Sequence, residues 1–166
     1  MKKAFYIAGV AAVVSVASLA VVAGQGHGHV MAGMKEAQWG PAPPFIPAGA
    51  QMAVLSGDPT KSVPYSVRLK FPANYTIAPH SHPMDENVVV TSGTVTFGAG
   101  DKLAQKGAGN KVLGIGGYMI VPANMNHFAF TTATEASIVL YGTGPVDFKY
   151  VNPADDPRNA KTTTSK

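Results

Sequence analysis

The sequence predicts an all-β protein, a sandwich or barrel of short strands, and three observations predict it. Eighteen glycines and 13 prolines among 166 residues punctuate the chain too densely for long helices beyond the N-terminus. From Val63 the apolar period is two: Val63, Tyr65, Val67, Leu69 and Phe71 alternate with Pro64, Ser66, Arg68 and Lys70, the pattern of a half-buried antiparallel strand. Beyond it, short β-branched or aromatic runs recur between turn signals, which is the spacing of a sandwich or barrel. A 46% hydrophobic content excludes wholesale disorder, and the length suits one domain with a real core.

Taken in order, residues 1–23 read as a signal peptide forming an N-terminal signal helix. Met1-Lys2-Lys3 opens with positive charge, no charged residue follows through Ala23, and Val21-Val22-Ala23 offers small or modest side chains at a cleavage site. An uncleaved anchor is the alternative, because about 20 apolar residues also span a bilayer. The alanine-rich, weakly hydrophobic character and the lack of a positive cluster directly after it favour cleavage. The folded part is therefore expected outside the cytoplasm, periplasmic or secreted, with no stable membrane association after cleavage.

Residues 24–50 read as a flexible Gly/Pro-rich lead-in. In it, His27 and His29 alternate with Gly and precede Met31 and Met34, donors that suit a soft metal such as copper. A plain mobile terminus explains the same residues and is favoured. The body, residues 51–151, carries predicted strands at 63–71, 87–91, 94–97, 118–121, 126–132, 137–141 and 146–151. Arg68 falls on the outer, solvated face of the first. The glycine-rich stretches 98–100, 107–109 and 114–117 lack the strand–helix context of a phosphate loop and read as turns; residues 102–106 form a loop or a short helical turn. Residues 152–166 are a polar, proline-broken tail that drapes over the surface or frays.

Composition narrows the function. The formal charge of +4 includes Lys2 and Lys3 of the signal, and no basic cluster remains, so no nucleic-acid partner is expected. The absence of cysteine removes disulfide scaffolds, Cys-ligated zinc, iron–sulfur clusters and thiol catalysis.

The histidines carry the chemistry. His80 and His82 are two apart, so on one strand both imidazoles leave the same face. Glu86 shares that parity, and Val88 and Val90 continue it. Two histidines and a carboxylate facing an apolar interior are costly to bury unless something coordinates them. A divalent metal would, since neutral imidazoles and a carboxylate are its natural ligands. Asp85 competes for the acid role, but on a straight strand it faces the other way.

At these residues the chain resembles the cupin superfamily. Asn74, His80-Ser81-His82, Glu86 and Gly93 follow the first cupin motif, G-x5-H-x-H-x3,4-E-x6-G, with every spacing kept and Asn in place of the first Gly. Gly116, Pro122 and His127 follow the second, G-x5-P-x-G-x2-H-x3-N, with Asn124 in place of the Gly and Thr131 in place of the final Asn. The resemblance implies a cupin-type double-stranded β-helix, or jelly-roll barrel, over residues 51–151, and a homodimer. It also implies one divalent transition metal (Fe, Mn, Ni, Cu or Zn) held by His80, His82, Glu86 and His127 in the barrel mouth. Ala129 and Thr131 then point inward and leave room for a ligand, Phe128 and Phe130 face the other way for packing or a dimer contact, and Met84 fills space or lines the pocket. Tyr65 and Tyr118 are candidate pocket hydroxyls.

Two functions fit. One is a metal-dependent enzyme, dioxygenase-like, acting on a small-molecule substrate, with Glu86 as a candidate acid–base and decarboxylase, isomerase or lyase chemistry as variants. The other is a non-catalytic metal or small-ligand binder or sensor. The fold alone does not choose between them.

Overall fold

The structure is a computed structural model that describes residues 36–160 together with Met31 and Gly33; the expected signal helix and the His27–His29 pair lie outside the described residues. Among the described residues, eleven strands form two sheets: β1 (Gly40–Pro41), β2 (Gln51–Gly57), β3 (Pro64–Phe71), β4 (Thr76–Ser81), β5 (Glu86–Ser92), β6 (Val95–Ala99), β7 (Lys111–Leu113), β8 (Tyr118–Val121), β9 (His127–Phe130), β10 (Ala136–Thr143) and β11 (Lys149–Tyr150). One sheet has the order β1-β2-β3-β10-β5-β8 and the other β11-β4-β9-β6-β7. Every pair is antiparallel. From β4 onward the chain repeatedly crosses between the sheets, which is a jelly-roll winding.

The alternation in β3 does what the period demands. Tyr65, Val67, Leu69 and Phe71 are buried, and they meet Val88, Val90, Ile138 and Leu140 of the same sheet and Ile77, Val95, Phe97 and Ala129 of the facing one. Arg68 lies on the outer face as expected but is only partly solvated. It is half-buried, and its Nε and Nη1 have no hydrogen-bond partner among the described residues, because Ala53 and Val139 flank it across the sheet.

Four departures from the sequence reading have physical causes. The histidines and Glu86 do not share a strand: β4 ends at Ser81, the chain turns through Pro83, and Glu86 opens β5 in the opposite sheet. Strands β2 and β7 were not foreseen, since their alternation is weak and β7 is hemmed by glycine turns. The strand expected over 146–151 shrinks to Lys149–Tyr150; the Asp147 carboxylate accepts from the Phe148 N–H at 2.8 Å, and a local side-chain bond of this kind competes with the ladder. The lead-in is packed from Gly40 onward: β1 pairs with β2, and Ile46 and Ala50 join the core. In that segment the Pro47 carbonyl accepts from the Tyr75 hydroxyl.

The two asparagines that stand at glycine positions of the motifs explain themselves. Asn74 has φ 56° and Asn124 has φ 62°, the left-handed region that glycine occupies freely and asparagine tolerates best among other residues. Phe128 packs as expected. It is 1% exposed and lies over Gly98, where an added Cβ would come within 2.2 Å of the ring. That side of the sheet therefore requires glycine.

Candidate metal centre

Three imidazoles and one carboxylate meet inside the barrel. His80 comes from β4, His82 from the residue just beyond it, His127 from the start of β9 paired with His80, and Glu86 from the start of β5 across the barrel. All four are buried, with His80 and His82 each 2% exposed and His127 and Glu86 each 6%. The crossing from β4 to β5 delivers the acid from the facing sheet, so the donors surround a point instead of lining one strand.

Each ring is oriented by a backbone carbonyl. His80 Nδ1 lies 2.7 Å from the Ala78 carbonyl, His127 Nδ1 is 3.1 Å from that of Met125, and His82 Nδ1 is 3.3 Å from that of Asp147. A carbonyl only accepts, so each Nδ1 carries the proton and each Nε2 presents a lone pair. His82 Nε2 and His127 Nε2 are 3.3 Å apart, and Glu86 Oε2 sits 3.4 Å from the former and 4.0 Å from the latter. Two facing lone pairs do not bond to each other; a cation or a proton must lie between them. A metal with bonds of about 2.0–2.1 Å needs donors roughly 3.0–3.4 Å apart; the His82–His127 and His82–Glu86 spacings fit, and the Glu86–His127 spacing is longer. The three histidine donor atoms lie within 4.8 Å of one another, so the three buried histidines are placed to hold a metal ion.

The electrostatics favour the neutral form at His80 and His127 and the charged form at His82. Burial, then the neighbouring His127 and His82, hold His80 well below the ordinary imidazole value. Burial likewise lowers His127, against the opposing pull of Glu86. For His82 burial acts downward too, but the Glu86 charge and hydrogen bond, helped by the Asp147 carbonyl, raise it overall.

The remaining candidates separate cleanly. Asp85 is exposed and accepts from the Ala123 N–H at 2.8 Å, a staple between two turns and not a ligand. Tyr118 is 49% exposed and donates to Asn87 on the outer face, so it is no pocket hydroxyl. Tyr65 is buried near the Glu86 end of the barrel, where burial and then the Glu86 charge push it up to about 12. Thr131 does not make room for a ligand: its hydroxyl donates to Pro72 and accepts from the Tyr75 N–H, closing a turn at the site's far side. Met84 is half-buried in the connection between β4 and β5. Beside His80, Glu86 and His127 lies an apolar cavity walled by Leu69, Val88, Leu140 and Phe148 among others, with room for little more than a water-sized species.

Sequence reasoning missed Phe148. Its ring stacks on His80 at 4.1 Å and meets His82 edge-on at 4.6 Å. It sits in the expected strand 146–151, and nothing in that local pattern signals a partner almost 70 residues earlier.

A two-sheet antiparallel barrel with three buried histidines from one sheet and a glutamate from the other defines a class of small barrels able to hold a metal ion. The chain belongs to the cupin family, matching the one described as the ChrR cupin-like domain over residues 27–147. Its fold is similar to that of the polyketide cyclase RemF from Streptomyces resistomycificus, at TM-score 0.62 and 14% identity, covering 76% of this chain and 88% of that one. An RmlC-like cupin from Shewanella frigidimarina matches at TM-score 0.53 and 15% identity, covering 70% and 93%. The DMSP lyase DddQ from Ruegeria pomeroyi matches at 0.51 and 19%, covering 65% and 56%. No curated protein matches the sequence.

Proposed function

We propose that this chain is an exported, metal-dependent cupin enzyme that holds one divalent transition ion on His80, His82, His127 and Glu86. The reaction proposed is the oxidation of a small organic molecule by dioxygen, both oxygen atoms entering the product. The observation that carries the metal reading is the convergence of three Nε2 lone pairs whose Nδ1–H groups are all committed to backbone carbonyls. Borderline nitrogen donors with one carboxylate suit Fe, Mn, Ni, Cu or Zn, and a bound ion supplies Lewis acidity and open coordination positions. The chain's own part is to fix the three tautomers, to exclude water through Phe148 and the apolar walls, and to place Glu86 where it completes the donor set or moves a proton. Export is supported by the charge-free run from Ala4 to Ala23, and a homodimer remains part of the proposal through the family resemblance.

A second reading, a metal-holding sensor or binder without turnover, is supported by the tight burial of the donors and the small size of the adjoining cavity. Metal analysis of the mature protein purified without added metal, followed by oxygen uptake with small diols and acids, separates the two. Near-stoichiometric metal and uptake that disappears in His127→Ala support the enzyme. Bound metal with no turnover favours the sensor, and a metal-free folded protein refutes both.

A further inference from the structure

The C-terminal tail contributes a side chain to the site from outside it. After β11 the chain makes two short turns of 3-10 helix, Pro153–Asp155 and Pro157–Asn159, each opened by a side-chain cap, Asn152 on Ala154 and Asp156 on Arg158. The second turn aims Arg158 back at the segment that covers the histidines. Its Nη1 donates to the Asp147 carboxylate at 2.8 Å and its Nη2 to the Phe148 carbonyl at 2.8 Å. Its Nε and Nη2 also grip Asp156, at 2.9 and 2.8 Å. Fork geometry is what lets one guanidinium do this, and a lysine cannot reproduce it.

The two residues held by Arg158 touch two of the three histidine rings. The Asp147 carbonyl fixes the tautomer of His82, and the Phe148 ring stacks on His80 and abuts His82. The Asp147 contact to His82 is the longest of the three carbonyl contacts, so it is the one most exposed to movement of this segment. His127 takes its carbonyl from Met125, to which no residue of the described tail hydrogen-bonds. Phe45, its ring tilted against that of Phe148 at 5.0 Å and lying 6.0 Å beneath the guanidinium, closes the cover from the lead-in side.

We propose that Arg158 is a positioning residue for the metal centre: by clamping Asp147 and Phe148 it sets the ring orientation and tautomer of His82. The metal consequence rests on the ligand reading above, while the tautomer consequence does not. Both follow from the same variant, Arg158→Ala, in the full mature chain.

In the metal-free variant, nitrogen–proton correlation spectra of the imidazoles should show His82 losing its Nδ1–H tautomer while His127 keeps its own. In titration with Co2+ the variant should bind about tenfold or more weakly, the usual scale for loss of an outer-shell partner, with an altered visible absorption spectrum. Arg158→Lys keeps the charge and should restore neither property fully. Should Arg158→Ala not fold, Asp156→Asn loosens only the outer grip on the guanidinium and should shift the same signals in the same direction. An unchanged His82 tautomer overturns the proposal, as does equal loss of the His82 and His127 signals, which would mark general loosening. Wild-type protein that binds no Co2+ refutes the ligand reading and leaves the tautomer comparison to decide Arg158.

Discussion

Phe148 tests whether the cover over the histidines is packed structure or surface dressing. Its ring is buried among His80, His82 and Phe45 and it walls the cavity beside the donors. Truncation to alanine removes a full phenyl ring that the strands of two sheets cannot close over. The loss expected for Phe→Ala in such a place is about 3–5 kcal/mol. Phe148→Leu keeps most of the apolar volume and should cost no more than about 1.5 kcal/mol, of the same order as the 0.5–1.5 kcal/mol that an aromatic contact adds beyond burial. Urea unfolding with chelator present gives both numbers, since bound metal would add its own linkage to the native state. An unchanged slope against urea confirms that the midpoint shift is a stability change. A cost below about 1 kcal/mol for the alanine variant would refute the packing argument. Equal costs for the two variants would refute the claim that ring volume matters there.

Two further outcomes follow from named groups. Metal-free protein should lose stability on acidification. His80 and His127 have native pKa values lowered from 6.5, so the unfolded chain binds their protons first, and the stability they contribute above pH 6.5 drains away as pH falls toward the native values. His82 is raised and works the other way, its contribution being full below 6.5 and lost as pH rises through its native value. Below pH 6.5 the His82 contribution is already complete and only His80 and His127 still change, so a net loss is predicted there, and thermal unfolding from pH 6.5 to pH 5 that shows a gain instead would refute the assignment. At Asn124, with φ 62° and its N–H donating to the His82 carbonyl at 2.7 Å, substitution by alanine should cost about 1–2 kcal/mol. Substitution by glycine should be close to neutral, and equal costs by denaturant titration would show that the backbone conformation is not what the position demands.

Much of this protein was written locally. The period of two in 64–71 depends only on strand geometry, so it named the core face of β3 before any neighbour was known. The spacing of His80, His82 and Glu86 marked two imidazoles and a carboxylate as candidate donors on local grounds, while His127 was reached only through the resemblance of its proline turn to the second cupin motif. Even the motif glycines could be traced through asparagine, because both residue types answer to the same backbone requirement.

What the sequence could not determine is anything that depends on which strands face each other. Glu86 reached the site from the sheet opposite His80, and the parity that suggested a single strand was a coincidence of a turn at Pro83. Tyr118 looked as eligible as Tyr65 until the two sheets closed and left it outside, and Asp85, already set against by its parity, stayed outside as well. Phe148, Asp147 and Arg158 entered the site only by the tail folding back, through contacts between residues tens of positions apart in the chain. Local patterns fix which side chains share a face; only the closing of the barrel decides which faces meet, and the candidate metal centre lies where they do.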